Sequence, residues 1–151
     1  MMRSAIMALA LACGANAACA EPRRQETLMD FYNLSADPDV LYLVHLDEIE
    51  SIGFDRSVNV SSLRRIESKT GFYSVWEIHC DEARMGVVQA AQFGPDFSGD
   101  IADMEPEWMS PARGTMAGDL FQVACGDRSK LDPSRIIRNS SLLRQRRSFW
   151  N

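Results

Sequence analysis

Residues 71–80 read GFYSVWEIHC, and the alternation of their side chains decides how the rest of the chain is arranged. Phe72, Ser74, Trp76, Ile78 and Cys80 fall on one side of an extended backbone, while Tyr73, Val75, Glu77 and His79 fall on the other and turn polar toward the end. A period of two is the spacing of a half-buried strand, because successive side chains point to opposite faces. The stretch is therefore expected to be a central strand. Its last residue, Cys80, is expected to be crosslinked to Cys125, tying the strand to the last regular element of the core.

The first twenty residues are set aside as a secretory signal. Arg3 supplies a positive start, residues 5–13 an apolar run, and Ala18, Cys19 and Ala20 a small-residue cleavage site before Glu21. The run is about half the ~20 residues a membrane-spanning helix needs, so no transmembrane segment is expected after cleavage. A periplasmic or secreted product would follow from cutting after Ala20. A lipid anchor at Cys19 is the weaker reading, because neither Cys13 nor Cys19 has the Leu-Ala-Gly context that lipidation prefers.

Cleavage leaves Cys80 and Cys125. In an oxidising compartment such a pair is most simply a structural disulfide, with a free thiol or half a metal site as the alternatives. His45 and His79 are the only histidines, too few to complete a zinc site with two distant cysteines, so neither metal nor cofactor is expected. Closing the loop between the cysteines contributes about 4 kcal/mol on the chain-entropy argument.

Charge is uneven. Residues 21–126 carry 8 Lys or Arg against 19 Asp or Glu, and residues 127–151 carry 7 against 2. An acidic body with a basic tail results, and no nucleic-acid partner is expected for the acidic part. Residues 21–39 mix charged and apolar residues and are read as a loosely attached lead-in, with a weak helix over 25–32 and a turn at Asp37-Pro38-Asp39.

The run VLYLVHL (40–46) reads as a strand, and 47–53 as a turn in which Gly53 supplies a positive φ. Residues 57–67 alternate Val58 and Val60, then shift phase to Leu63 and Ile66, which suggests a bulge or a fraying edge. A third strand over 83–93 places Met85, Val87 and Phe93 on one face and Val88 and Ala90 on the other. Short connections between these strands argue for an antiparallel meander. Residues 94–107 form a solvated acidic loop whose carboxylates lack the register of a calcium-binding loop, and Trp108 and Met109 are expected to return to the core.

Residues 115–126 show the clearest helix. Thr115 is a candidate N-cap, Met116, Leu120, Val123 and Ala124 make an apolar stripe, and Gly126 follows as a terminator. Beyond it, Asp132-Pro133 is a helix start, but Ser140 and Ser141 interrupt the apolar pattern, and 127–151 is read as a partly disordered basic tail.

Little here builds a catalyst. No GxSxG elbow and no phosphate-cradling loop occur, and the two histidines fall on strands. Ser74 or Ser62 with His79 and Asp81 could assemble a hydrolytic relay, though serines are abundant enough for a chance match. No catalytic residue is assigned.

Several pieces together resemble the surface-adhesin protein E-like family of small exported bacterial proteins. They are VHLDEIESIG (44–53), YSVWEIHC (73–80), Arg84 near the start of the next strand, Trp108 before Pro111, and a helix ending in Cys125-Gly126. The resemblance covers 40–126 and leaves the basic tail outside. It implies an antiparallel sheet packed with helix, a Cys80–Cys125 disulfide and, more weakly, binding to macromolecules at the cell surface. The expected protein is thus an α+β domain, an antiparallel sheet with a helix packed on it and one disulfide, that binds an unknown macromolecular partner without catalysis. The alternatives are a small secreted hydrolase using His79 and an envelope structural protein with a lipid-binding tail.

Overall fold

In the computed structural model the described residues are 27–64, 69–94 and 99–151. The signal segment, the Cys19 position and the start of the expected 25–32 helix lie outside them. In chain order the elements are β1 (Met29–Asn33), β2 (Val40–His45), β3 (Glu50–Ile52), β4 (Asp55–Arg64), β5 (Gly71–His79), β6 (Arg84–Phe93) and β7 (Ala102–Asp103). Then come α1 (Met116–Cys125), β8 (Ile136–Ser140) and α2 (Leu142–Trp150). The strands form one open antiparallel sheet in the order β7-β6-β5-β4-β2-β1-β8, with β3 paired to β4. Among the described residues no helix is long and apolar enough to cross a membrane.

β5 sits inside the sheet with partners on both sides, as its alternation predicts. Trp76 and Ile78 are buried on the face that α1 covers, where they join Tyr32, Val44, Val58, Val60 and Met85 against Leu120, Val123 and Ala124. α1 begins where its sequence says it should: the Thr115 hydroxyl accepts from the Gly118 amide at 3.1 Å, satisfying one of the helix's free donors. Gly126 closes it with an extended φ of −84°, not the left-handed value of a glycine terminator. The reason for glycine there is space, since a Cβ would strike the Gln122 carbonyl. The Cys80–Cys125 disulfide, with Cα atoms 5.6 Å apart, joins the end of β5 to the end of α1.

The opposite face has its own core, built from Phe31, Leu43, Leu63 and Phe93. This second core explains the phase shift in β4. Val58 and Val60 point toward α1, whereas Ser61 and Leu63 are buried on the other side, and β4 keeps register with β5 through Leu63↔Gly71. No bulge interrupts the β4–β5 register from Asp55 to Leu63, and Ile66 lies outside the described residues. A bulge lies in β6, where Trp76 pairs with Val87 and Val75 with Gln89, leaving Val88 as the extra residue. One added residue reverses the facing of everything after it. Phe93, expected beside Met85 and Val87, consequently lies on the second face, against Gly71, where a Cβ would collide with its ring.

Two segments read as peripheral belong to the sheet. The lead-in contributes β1, with Phe31 and Tyr32 buried on opposite faces, so neither a helical stripe nor a polar–apolar alternation marks it. The basic tail is ordered too: β8 pairs with β1, and α2 follows on the second face. Ser141, read as an interruption, is the N-cap of α2 and accepts from the Arg144 amide at 3.1 Å. Asp132 accepts from the Ser134 amide at 2.9 Å and caps a single 3-10 turn instead of a full helix. Leu142 borders Tyr73, Ala91 and Phe93, and the Trp150 indole donates to the Arg64 carbonyl at 2.9 Å. Opposite charge helps seat the tail, with Arg138 3.1 Å from Asp30, and Arg135 adds a hydrogen bond to the Asn33 carbonyl.

Candidate functional site

On the second face β4 reads Asp55, Ser57, Asn59 and Ser61, a polar row inside a sheet whose other face is apolar. Polar groups held in such a place must be paired, and their pairings form two constellations.

The first is buried. The His45 ring lies 2.9 Å from Glu48 through Nδ1 and 2.8 Å from the Ser61 hydroxyl through Nε2, while Asn59 donates to the same Glu48 oxygen at 2.8 Å. A carboxylate only accepts, so a neutral His45 donates from Nδ1 to Glu48 and accepts at Nε2 from Ser61. Phe31 and Tyr73 stand edge-on to the ring at centroid distances of 5.1 and 6.1 Å. Burial pushes the imidazole below its ordinary value, and the Glu48 hydrogen bond and charge only partly oppose this. Burial, and after it the Glu48 charge, pushes the Tyr73 phenol above its ordinary range.

The connectivity is that of a serine nucleophile, a base and an orienting acid. Access is what it lacks, for Ser61 is 0% exposed and a substrate carbonyl could not meet its oxygen. We read it as a satisfied polar core. Next to Tyr73 an apolar pocket of about 240 Å³ opens between Ala91, Phe93, Gly99, Ile101 and Leu142.

The second constellation lies at the rim. Strand register places Asp55, His79 and Arg84 in one row across β4, β5 and β6, and Ser57 with Glu77 in the next. His79 Nδ1 is 2.9 Å from Asp55, and Nε2 is 3.0 Å from Glu77. The first contact fixes the ring from one side. The second is an ion-pair distance without the angle of a hydrogen bond, and leaves Nε2 buried with no hydrogen-bond partner. Trp108 stands edge-on to His79 at 4.7 Å and carries the Arg84 guanidinium over its ring at 4.7 Å, with Glu82 2.7 Å from Arg84 Nε.

Backbone pairing of Met109 with Met85 holds the 108–109 segment here. Trp108 and Met109, expected in the core, are instead exposed. The pairing aligns them along the β6 edge, where Trp108 stays 40% exposed and Met109 42%. At the neighbouring β3–β4 turn, Gly53 adopts φ +65°, as expected, and the Ile52 and Phe54 side chains stand in solvent, Phe54 at 79% exposure.

The residues considered for a hydrolytic relay are not assembled into one. Ser74 lies on the α1-side face, where its hydroxyl accepts from the Trp76 indole at 3.0 Å. Ser62 pairs across the sheet with Phe72, seven residues along β4 from the Asp55↔His79 pair. Asp81 accepts from the Glu82 amide. His79 is met by Asp55 and Glu77, two carboxylates that sequence reasoning did not single out. The alternating positions Glu77 and His79 carried half of that signal; Asp55, on another strand, carried none until the register was known.

No protein-family model matches the chain, and neither does any curated protein or solved structure.

Proposed function

We propose that the chain is an exported, non-enzymatic binding domain that meets a macromolecular partner with the end of the sheet around Phe54, His79 and Trp108. The observation that carries this reading is the exposure of Ile52, Phe54, Trp108 and Met109 at the end of the sheet where Asp55 and Glu77 flank His79 and where Glu82 and Trp108 hold Arg84. Aromatic residues, Met and Arg set among held polar groups are what the centres of protein interfaces are made of. Apolar side chains grouped on a surface are more often contact sites than accidents of folding. Glu50, Asp55, Glu77 and Glu82 surround them and favour a partner surface bearing cationic and apolar side chains. Adhesion is the form of binding that the resemblance in the sequence implies.

A photo-crosslinking residue placed at Phe54 or at Trp108 tests the proposal, with Arg138 on β8 at the far edge of the sheet as control. The same envelope or extracellular protein is expected to be captured from both sites, and not from Arg138. Capture from Arg138 alone, or an identical pattern at all three positions, contradicts it.

A further inference from the structure

The approach of His79 to Glu77 is not explained by an ordinary hydrogen bond. With the ring proton assigned to Nδ1, 2.9 Å from the Asp55 carboxylate, the Nε2 lone pair is turned toward Glu77. Two electron-rich atoms then face each other at 3.0 Å, with Nε2 buried and without a hydrogen-bond partner. That spacing is what two ligands of one metal ion show: bonds of roughly 2.0–2.1 Å at angles between square and tetrahedral set ligand atoms about 2.9–3.4 Å apart.

We propose that His79 Nε2 and Glu77 bind a divalent first-row transition ion of the zinc type, with Asp55 as the positioning residue behind the imidazole. The three residues offer atoms within 4.8 Å of one another. A carboxylate on the far nitrogen of a metal-bound histidine fixes its tautomer and raises its basicity, and this is the position Asp55 holds. One imidazole and one carboxylate suit zinc, nickel or cobalt; calcium and magnesium prefer oxygen ligands throughout. His79 is 14% exposed and Glu77 41%, so the ring is held while the carboxylate side stays open to incoming ion and water. Cys80, the next residue, takes no part, because its sulfur is in the disulfide. The Arg84 charge is engaged by Glu82 and Trp108. The inference stands apart from the partner-binding reading, since metal binding is measured without any partner.

The test is calorimetric titration of the full folded chain with Zn²⁺ near neutral pH, in parallel with His79→Gln, Glu77→Gln, Asp55→Ala and Asp55→Asn. One ion per chain is expected, with affinity reduced at least ~10-fold by either ligand substitution and ~10- to 100-fold by Asp55→Ala. Asp55→Asn, which still accepts from Nδ1, is expected to lose less. Ni²⁺ is expected to quench the tryptophan fluorescence of the wild type and to quench Trp108→Phe much less, which locates the ion beside His79 without relying on the stability of any ligand variant. Absence of Zn²⁺ binding, equal binding in His79→Gln, or Ca²⁺ binding as tight as Zn²⁺ would each overturn the proposal.

Discussion

At the residue scale, His45 is a buried polar group with a hydrogen-bond partner at each ring nitrogen. Its ring is held from both nitrogens and edged by Phe31 and Tyr73, and burial makes its protonation harder in the folded chain than in the unfolded one. A depressed histidine value means that the unfolded state takes up the proton first. The stability this ring contributes is therefore complete above its ordinary value of 6.5 and is lost as the pH falls below that toward the folded value. Urea midpoints measured through this window should fall with pH in the wild type, and the slope should flatten in His45→Gln. Equal slopes would remove His45 as the source. Little of this constellation was legible in the sequence. His45 and Glu48 are three apart and could be suspected, but Ser61 comes from another strand, and only the β2–β4 register brings it under the ring.

At the element scale, what could be read was what repeats locally. β5 alternates over its whole length, α1 has a cap and a stripe, and both formed where those signals placed them. β1, β8 and α2 escaped because each is short and has its pattern set by tertiary neighbours: β1 buries residues on both faces, and α2 starts at a serine that looked like a break. The β6 bulge is a subtler case. Its alternation is visible in the sequence, but the extra residue, Val88, has no signature there and reverses where Phe93 points. Deleting Val88 should drive Phe93 out of the second core and cost at least as much as Phe93→Ala, ~3–5 kcal/mol in chemical denaturation. A cost below ~1 kcal/mol would mean that the strand can slide and that the bulge does not set its facing.

At the scale of the whole molecule, the acidic body and basic tail are one fold. β8 covers the open side of β1, and α2 sets Leu142 beside Tyr73, Ala91 and Phe93, so a chain ending at Gly126 would uncover β1 and the Phe93 side of the second core. Losing that cover should lower stability by at least ~3 kcal/mol, on roughly 1.5–3 kcal/mol for each large apolar side chain returned to water. An unchanged urea midpoint for the truncated chain would show that the tail adds nothing to the core. The disulfide acts on the other face, fastening α1 to β5 just beyond His79, so the staple and the proposed site share one end of the sheet. That end is where we propose the partner binds: it carries exposed hydrophobic side chains, Ile52, Phe54, Trp108 and Met109, beside charged side chains held by their neighbours. The most direct measurement is amide hydrogen exchange of the chain with its captured partner bound. Added protection is expected at 50–56, 77–86 and 104–109, with 128–150 unchanged; protection confined to the tail and β8 would contradict the account.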